Sequence, residues 1–530
     1  MLEHVITPQE QARPAANIVF VDFGRHAFGR LEVEVDSQVT ETIQIAVGDV
    51  ANAGRLLQNP GGSRIYQEQT LTVEPGKHCY LMTMTHPGYC SGTLTVDPEI
   101  APFRYAEVRG CSGQVQVRQR AQFGPFRDTA AEFSSSDPAL NQVWEFCKYT
   151  MKATNVFGIF VDGNRERQAY EGDAYINQLG YFCCDDHYEI ARHTLERLFE
   201  YPTWPTEWAL CMPLLIHDYL LYTGDFDSAR EWYPALKPKL LLNLAGANNL
   251  ISVQNQGDGY RFPGFPKTTV LQDLIDWPQN ERDGYELGVY NLVPNCWHYE
   301  ALKRMRELAL LLGQESDAIF YGKRAELLRN AIHTLMFKKD RYVDHPDSSH
   351  TALHSLLFPL AFGIAPMETR PALLASMQSH GMACSVFAAQ FLLEACYRNR
   401  LADYGLSLLT SDSLRSWRNM LNKGATITME AWDDSLKPNQ DWNHPWGAAP
   451  ANIIPRHLAG IQPLQPGFDL FQVDPQPGKL KSFTLRQPTR HGPVTLQLEG
   501  KTALLEVPAG SVALFQNQKL LPGQHRLNLL

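Results

Sequence analysis

The hydrophobic period of this chain changes twice, and those two changes constrain its fold more than any other feature. Up to about Ser134 apolar residues alternate with polar ones. Phe20-Val-Asp-Phe is followed by Leu31, Val33 and Val35 interleaved with acids, which is the period of a half-buried strand. Tyr80-Leu-Met-Thr-Met, Leu94-Thr-Val and Val115-Gln-Val continue it, with turn clusters such as Asn59-Pro-Gly-Gly and Glu74-Pro-Gly between them. Strands at this spacing predict a sandwich of antiparallel sheets over residues 1–134. At Ser134-Ser-Ser-Asp-Pro the period lengthens. Asp137 is placed to cap a helix and Pro138 to occupy its first position. Leu140, Val143, Trp144 and Cys147 then recur at helical spacing.

Helix follows helix from residue 135 to 461. The pattern predicts helices near Tyr188–Tyr201, Ala209–Tyr222, Asp227–Asn248, Asn295–Leu312, Ser316–Phe337, Ser349–Ala361, Thr369–Ser379, Ser385–Tyr397 and Leu401–Leu409. About a dozen helices here fit a ring of helical hairpins, an (α/α)6 barrel, whose long connections gather round one mouth. Three connections stand out: 161–173, Leu274–Glu286 and Thr426–Pro450. After Ile461-Gln-Pro-Leu-Gln-Pro-Gly the short period returns at Phe483/Leu485, Val494/Leu496/Leu498 and Leu505/Val507. Residues 462–530 therefore read as a small C-terminal β domain. The fold class is multidomain and mainly α, with β at both ends.

Composition narrows the function. The formal net charge is −10 and no Lys/Arg run interrupts it, which excludes a nucleic-acid polyanion as the main partner. There is no apolar run of the roughly 18 residues that a bilayer span needs. The opening Met-Leu-Glu-His-Val-Ile-Thr has neither the basic nor the apolar region of a secretory signal. A cytoplasmic protein with no membrane partner is expected. The ten cysteines, Cys90 among them, show no C-x-x-C or framework spacing, as for reduced thiols in a large core.

Two acidic stretches carry the chemistry. Val161–Asp173, V-D-G-N-R-E-R-Q-A-Y-E-G-D, sets Asp162, Glu166, Glu171 and Asp173 among two arginines. Charges this dense are costly to bury unless paired, so the bland alternative is an exposed loop of solvated ion pairs. Glu166 sits between Arg165 and Arg167, whose charges favour an anion, while Asp162 and Asp173 disfavour one. The second stretch, Gly424–Asp434, centres on Glu430, flanked by Met429 and Trp432; its alternative is an acid at a helix start. Cleaving a glycosidic bond needs two carboxyl groups on opposite sides of the anomeric carbon. Glu166 and Glu430 are the candidate pair across a sugar-binding cleft. Asn443-His-Pro-Trp-Gly offers His444 as a polar hand and Trp446 as a platform; Trp204, Trp208 and Trp277 are further stacking candidates. Asp185-Asp-His lacks a partner at metal spacing, so neither a metal nor a cofactor is expected. No G-x-S-x-G, P-loop or G-x-G-x-x-G is placed after a strand.

These stretches resemble the α-L-rhamnosidases of glycoside hydrolase family 78. The family motif D-C-P-x-R-(D/E)-…-W-x-x-D is met by Asp162-Gly-Asn-Arg165-Glu166-Arg-Gln-Ala-Tyr170-Glu-Gly-Asp173. Gly163-Asn164 replaces Cys-Pro, Tyr170 stands for the Trp, and the spacing is one residue shorter. The downstream patterns G-A-T-T-x-W-E-x-W-D, N-H-x-x-x-G and A-G-I-x-P are met by Gly424–Asp433, with Met429 for the Trp, by Asn443–Gly447 and by Ala459–Pro463. The likeness covers the barrel and the start of the C-terminal domain.

The resemblance implies an inverting hydrolase that releases terminal α-L-rhamnose. Glu166 would be the general acid, with Asp162 as the alternative, and Glu430 the general base. Asp162, Arg165 and Asp173 would hold the rhamnose hydroxyls, and Trp432 and His444 would line the same pocket. The N-terminal part is shorter than in most members, which suits small rhamnosides such as flavonoid glycosides or disaccharides. Inversion predicts carboxyl groups about 6.5–9.5 Å apart, against about 5 Å for a covalent intermediate. A homodimer is expected. The rivals are another (α/α)6 glycosidase, acting on a glucoside or an unsaturated uronide, and a non-catalytic sugar-binding protein.

Overall fold

The strand Ile18–Ser37 is the spine of the N-terminal region in this computed structural model, which describes residues 1–86, 88, 92–257 and 270–529. Its register with Ala101–Arg109 breaks between Asp22 and Ala27, and that neighbour pairs with it on both sides of the break. Ile18–Asp22 pairs with Tyr105–Arg109, Ala27–Gly29 with Ala101–Phe103, and Gly29–Asp36 with Gln114–Ala121. The result is one eight-stranded antiparallel sheet folded over a core that includes Val21, Leu31, Val33, Ile45 and Val108. Glu32, on the opposite face from Leu31 and Val33, is buried and held by Arg118 and Arg120. Leu94-Thr-Val is not a strand, contrary to its alternation. Its Leu94 N–H instead donates to the Arg167 carbonyl, 3.3 Å away, and so ties the N-terminal region to the acidic loop.

Thirteen α-helices of four residues or more lie among the described residues: α1 Pro138–Ala153, α2 Glu171–Cys184, α3 Glu189–Glu200, α4 Thr206–Thr223, α5 Phe226–Leu236, α6 Leu292–Leu311, α7 Glu315–Met336, α8 Leu353–Ala361, α9 Arg370–His380, α10 Ala389–Arg398, α11 Ala402–Leu409, α12 Trp417–Asn422 and α13 Pro450–Ile453. Asp137 caps α1, accepting from the Ala139 and Leu140 amides at 2.9 and 3.3 Å, a contribution of about 1 kcal/mol. The predicted helix Asp227–Asn248 stops at Leu236. Pro238 cannot donate to a further turn, and Leu241 sits at φ 52°. Helix α2 gives no sequence period because all fourteen of its residues are buried.

The inner helices α2, α4, α6, α8, α10 and α13 pack each on the next, and α13 returns to α2. That closed ring, with the other helices outside it, is the (α/α)6 barrel. The C-terminal region forms a five-stranded and a four-stranded sheet sharing the core of Leu485, Leu496, Leu505, Phe471 and Val473. Glu132–Ser135, grouped by its sequence with the N-terminal strands, pairs instead with Ser482–Gln487. The chain thus enters its barrel from the C-terminal sheet. Nine cysteines are free, eight of them buried; Cys90 lies outside the described residues. No described helix is long and apolar enough to cross a membrane.

Candidate active site

The connections before α2, α4, α6 and α13 converge at the N-terminal ends of the inner helices and enclose a cavity of about 240 Å³. The acidic loop before α2 is closed by a reciprocal pair of bonds. The Asp162 amide donates to the Gln168 carbonyl (2.8 Å), and the Gln168 amide to Asp162 Oδ1 (2.9 Å). Gly163 lets this loop lie against the opposite one, because a Cβ there would stand 2.5 Å from Asp441 Oδ2. The Asn164 amide donates to Asn443 Oδ1 at 2.6 Å. Where the family motif has Cys-Pro, Gly163-Asn164 thus docks the two halves of the site on each other.

Glu166 and Glu430 both line the cavity, and Arg165 joins them. Its Nη1 and Nη2 donate to the two oxygens of Glu430 at 2.7 and 2.8 Å, and Nη2 donates also to Glu166 Oε1 at 2.9 Å. One nitrogen serves both carboxylates, so those two oxygens lie at most about 5.7 Å apart. This bounds the nearest oxygens alone, which a guanidinium between two anions draws together. Glu166 Oε2 accepts from the Tyr170 hydroxyl at 2.5 Å. Lys437 Nζ stands 3.3 Å from Glu430 Oε1, and Trp446 Nε1 donates to the Glu430 carbonyl at 3.0 Å. Arg165, expected to hold sugar hydroxyls, is engaged with the carboxylates. Arg167 turns away from Glu166 and is buried against Glu99 (2.7 Å) and the Ile100 carbonyl (2.8 Å).

Asp173, in the first turn of α2, accepts from His444 Nε2 at 3.0 Å, while His444 Nδ1 lies 3.3 Å from Asp441 Oδ1. Burial alone would lower the His444 pKa, but these two carboxylates hold it well above 6.5. The ring bridges the two acids through both of its nitrogens. Asp441 is correspondingly held below the usual carboxylate range: burial opposes this, but its bond to His444 and the nearby Arg165 prevail. Burial pushes the Asp162 carboxyl well up, helped by Glu166, Asp441 and Asp173 and opposed by His444. Asp173 is also raised, by burial first. Asp162 Oδ2 and Asp173 Oδ2 are buried and have no hydrogen-bond partner among the described residues. Both residues line the cavity.

Tyr170, Trp204, Trp208, Trp277 and Trp446 supply aromatic surface to the cavity. Trp432 does not line it. Its ring packs edge-on against Trp417, with centroids 5.0 Å apart, and its Nε1 donates to the Cys384 carbonyl at 2.8 Å. Glu171 also faces away, accepting from the Thr203 amide at 3.2 Å. Lys437, Asn439 and Asp441 escaped the sequence reading. Lys437 and Asn439 lie in an unpatterned polar segment, and the only signal for Asp441 is its place three residues before His444. Glu430, Asp441 and His444 present ligand-type atoms within 4.8 Å of one another. Glu430 already receives Arg165 and Lys437, and His444 spends both ring nitrogens on Asp173 and Asp441, so the three form an ion-pair network. The Asp185 oxygens accept from the Arg127 and Asp186 amides at 3.0 and 2.7 Å.

Residues 128–458 match the family model of the bacterial α-L-rhamnosidase six-hairpin glycosidase domain. The chain belongs to that family. It is 22% identical over 512 residues to an α-L-rhamnosidase of Alteromonas sp. strain LOR, covering 89% of this chain and 52% of the relative. It thus spans about half the length of that curated relative. The fold is shared with the α-L-rhamnosidase of Dictyoglumus thermophilum: TM-score 0.79, 16% identity, 99% of this chain and 62% of the other. It is shared also with that of Streptomyces avermitilis complexed with L-rhamnose: TM-score 0.77, 17% identity, 99% and 53%. The six hairpins named in the family's description are the ring of inner and outer helices described above.

Proposed function

We propose that the protein hydrolyses small α-L-rhamnosides, releasing terminal non-reducing α-L-rhamnose with inversion. The observation that carries this reading is the convergence of Glu166 and Glu430 on one aromatic-walled cavity in a barrel of the rhamnosidase family. The cavity is smaller than the roughly 300–1,000 Å³ of sites for drug-sized ligands, which suits a single terminal sugar. In the proposed reaction Glu166 protonates the departing glycosidic oxygen. Glu430 takes a proton from water as that water attacks the anomeric carbon from the other face. Asp162, Asp173 and the His444 ring offer acceptors and a polar environment for the sugar hydroxyls. A second assignment of the acid has its own support: Asp162, with a raised carboxyl and an unpartnered oxygen, is already suited to carry a proton.

Hydrolysis of p-nitrophenyl α-L-rhamnopyranoside, with NMR of the anomer first released, tests the proposal. β-L-Rhamnose as the first product, and a loss of at least about a hundredfold in Glu430→Gln, is the expected outcome. α-L-Rhamnose would replace water activation by a covalent intermediate. Turnover of a glucoside or uronide alone would discard the sugar assignment. Binding of rhamnose without turnover of any glycoside would make this a sugar-binding member of the family.

A further inference from the structure

The wall of the site around Glu430 is built from a loop that leaves this residue and comes back to it. The Glu430 amide donates to the Asp441 carbonyl (3.2 Å), the Asp441 amide to Glu430 Oε2 (3.4 Å), and the Ala431 amide to Gln440 Oε1 (2.9 Å). Between these ties the segment has turns but neither helix nor strand. Its tip is seated on the N-terminal sheet region. The Ser63 amide donates to the Gln440 carbonyl at 3.1 Å, and Ser63 Oγ to the Asn439 carbonyl at 2.8 Å. Arg64 Nη1 lies 3.1 Å from Asp434 Oδ2, and its guanidinium sits 4.9 Å from the Trp442 ring centre. The seat is itself fixed, since the Ile65 amide donates to the buried Asp49 Oδ2 at 2.8 Å. Gly62, at φ +61°, leaves no space: a Cβ would stand 2.9 Å from both the Gln440 and the Pro438 carbonyl oxygens.

The Asn439 carbonyl oxygen also accepts from Arg165 Nη1, at 2.9 Å. One oxygen thus receives a hydroxyl from the N-terminal region and the guanidinium that grips Glu430 and Glu166. We propose that Ser63 is a positioning residue for hydrolysis, holding the Asn439 carbonyl where Arg165 needs it. This inference rests on the reading of Glu166 and Glu430 as the reacting pair. A carbonyl oxygen has two lone pairs; Ser63 fills one and thereby fixes the direction of the other. Without it the exposed tip loses a side-chain anchor, and the Arg165 fork loses the seat that sets the spacing of the two carboxylates. The N-terminal sheet region is then part of the catalytic apparatus rather than an appendage.

The test compares Ser63→Ala, Ser63→Thr and Gly62→Ala with the wild type on p-nitrophenyl α-L-rhamnopyranoside, recording kcat, KM and Tm. A misplacement of about 1 Å can cost about a hundredfold in rate, so Gly62→Ala, which wedges the tip outward, is expected to lower kcat by about that factor. Ser63→Ala is expected to lower kcat by about tenfold with KM changed less than about twofold. Ser63→Thr, which keeps the hydroxyl, recovers most of the rate, and Tm stays within about 2 °C of the wild type in both Ser63 variants, while the strained Gly62→Ala loses Tm as well as rate. Wild-type kcat in Ser63→Ala would overturn the proposal. So would an equal loss in Ser63→Thr, or a loss in Ser63→Ala that tracks Tm, since either marks a packing effect. Absence of rhamnoside turnover in the wild type would show before any variant is compared, and it would overturn the underlying reading together with this one.

Discussion

Glu166→Gln tests which carboxyl gives the proton, and the structure sets what the substitution removes. A glutamine keeps an oxygen to accept from Arg165 Nη2, now at 2.9 Å, and its amide replaces the oxygen that accepts from Tyr170 at 2.5 Å. The tyrosine hydroxyl can turn to accept instead. Shape and most contacts survive, so the loss is the proton itself. A positioned acid contributes about 10²–10⁴ in rate, or about 3–5 kcal/mol of barrier. That loss should appear in full on a substrate with a poor leaving group, such as a rhamnosyl disaccharide. It should shrink to about tenfold or less on a nitrophenyl rhamnoside, whose phenolate departs with little help. Asp162→Asn, a loss of sugar contact under this assignment, should slow both substrates alike. The assay is kcat/KM for both variants on both substrates. An even loss in Glu166→Gln, with the leaving-group dependence appearing in Asp162→Asn, would refute the assignment and make Asp162 the acid.

Two further outcomes follow from the same network. Arg165→Lys keeps the charge but loses the planar fork that meets both Glu430 oxygens; kcat should fall by about 10- to 100-fold, and a wild-type rate would show that the fork is not needed. Asp162 has a folded pKa raised above its ordinary 3.8, mainly by burial. Its contribution to stability is therefore fully present below about 3.8 and lost as pH rises through the folded value, at up to about 1.4 kcal/mol per pH unit. Asp162→Asn, which cannot ionise, should gain Tm relative to the wild type as pH is raised from 4 toward 7 in a thermal-shift series, and a pH-independent difference would contradict a buried, proton-holding carboxyl.

What could be read in the sequence depended on how each residue is buried. Helices α1, α3, α5 and α7 announce themselves because one face is buried and the other is less so, leaving a period. Helix α2 is buried all round and leaves none, although Asp173 in its first turn is one of the site's principal acids. The two acidic stretches were legible because clustered charge stands out in any local window. Their connection was not, because Arg165, Asn439 and Ser63 meet only through the barrel's closure and the seating of the N-terminal sheet region on it. Trp432 shows the reverse error. Its neighbours Glu430 and Asp433 make it look like a site residue, yet the turn that brings Glu430 to the cavity sends Trp432 into the Trp417 layer behind it. Trp446, two residues after His444, bonds the Glu430 carbonyl instead and provides cavity wall. Local sequence can therefore nominate the acids of such a site. The cations and aromatics that set their spacing come from several separate connections, and only the closed ring of helices decides which of them arrive.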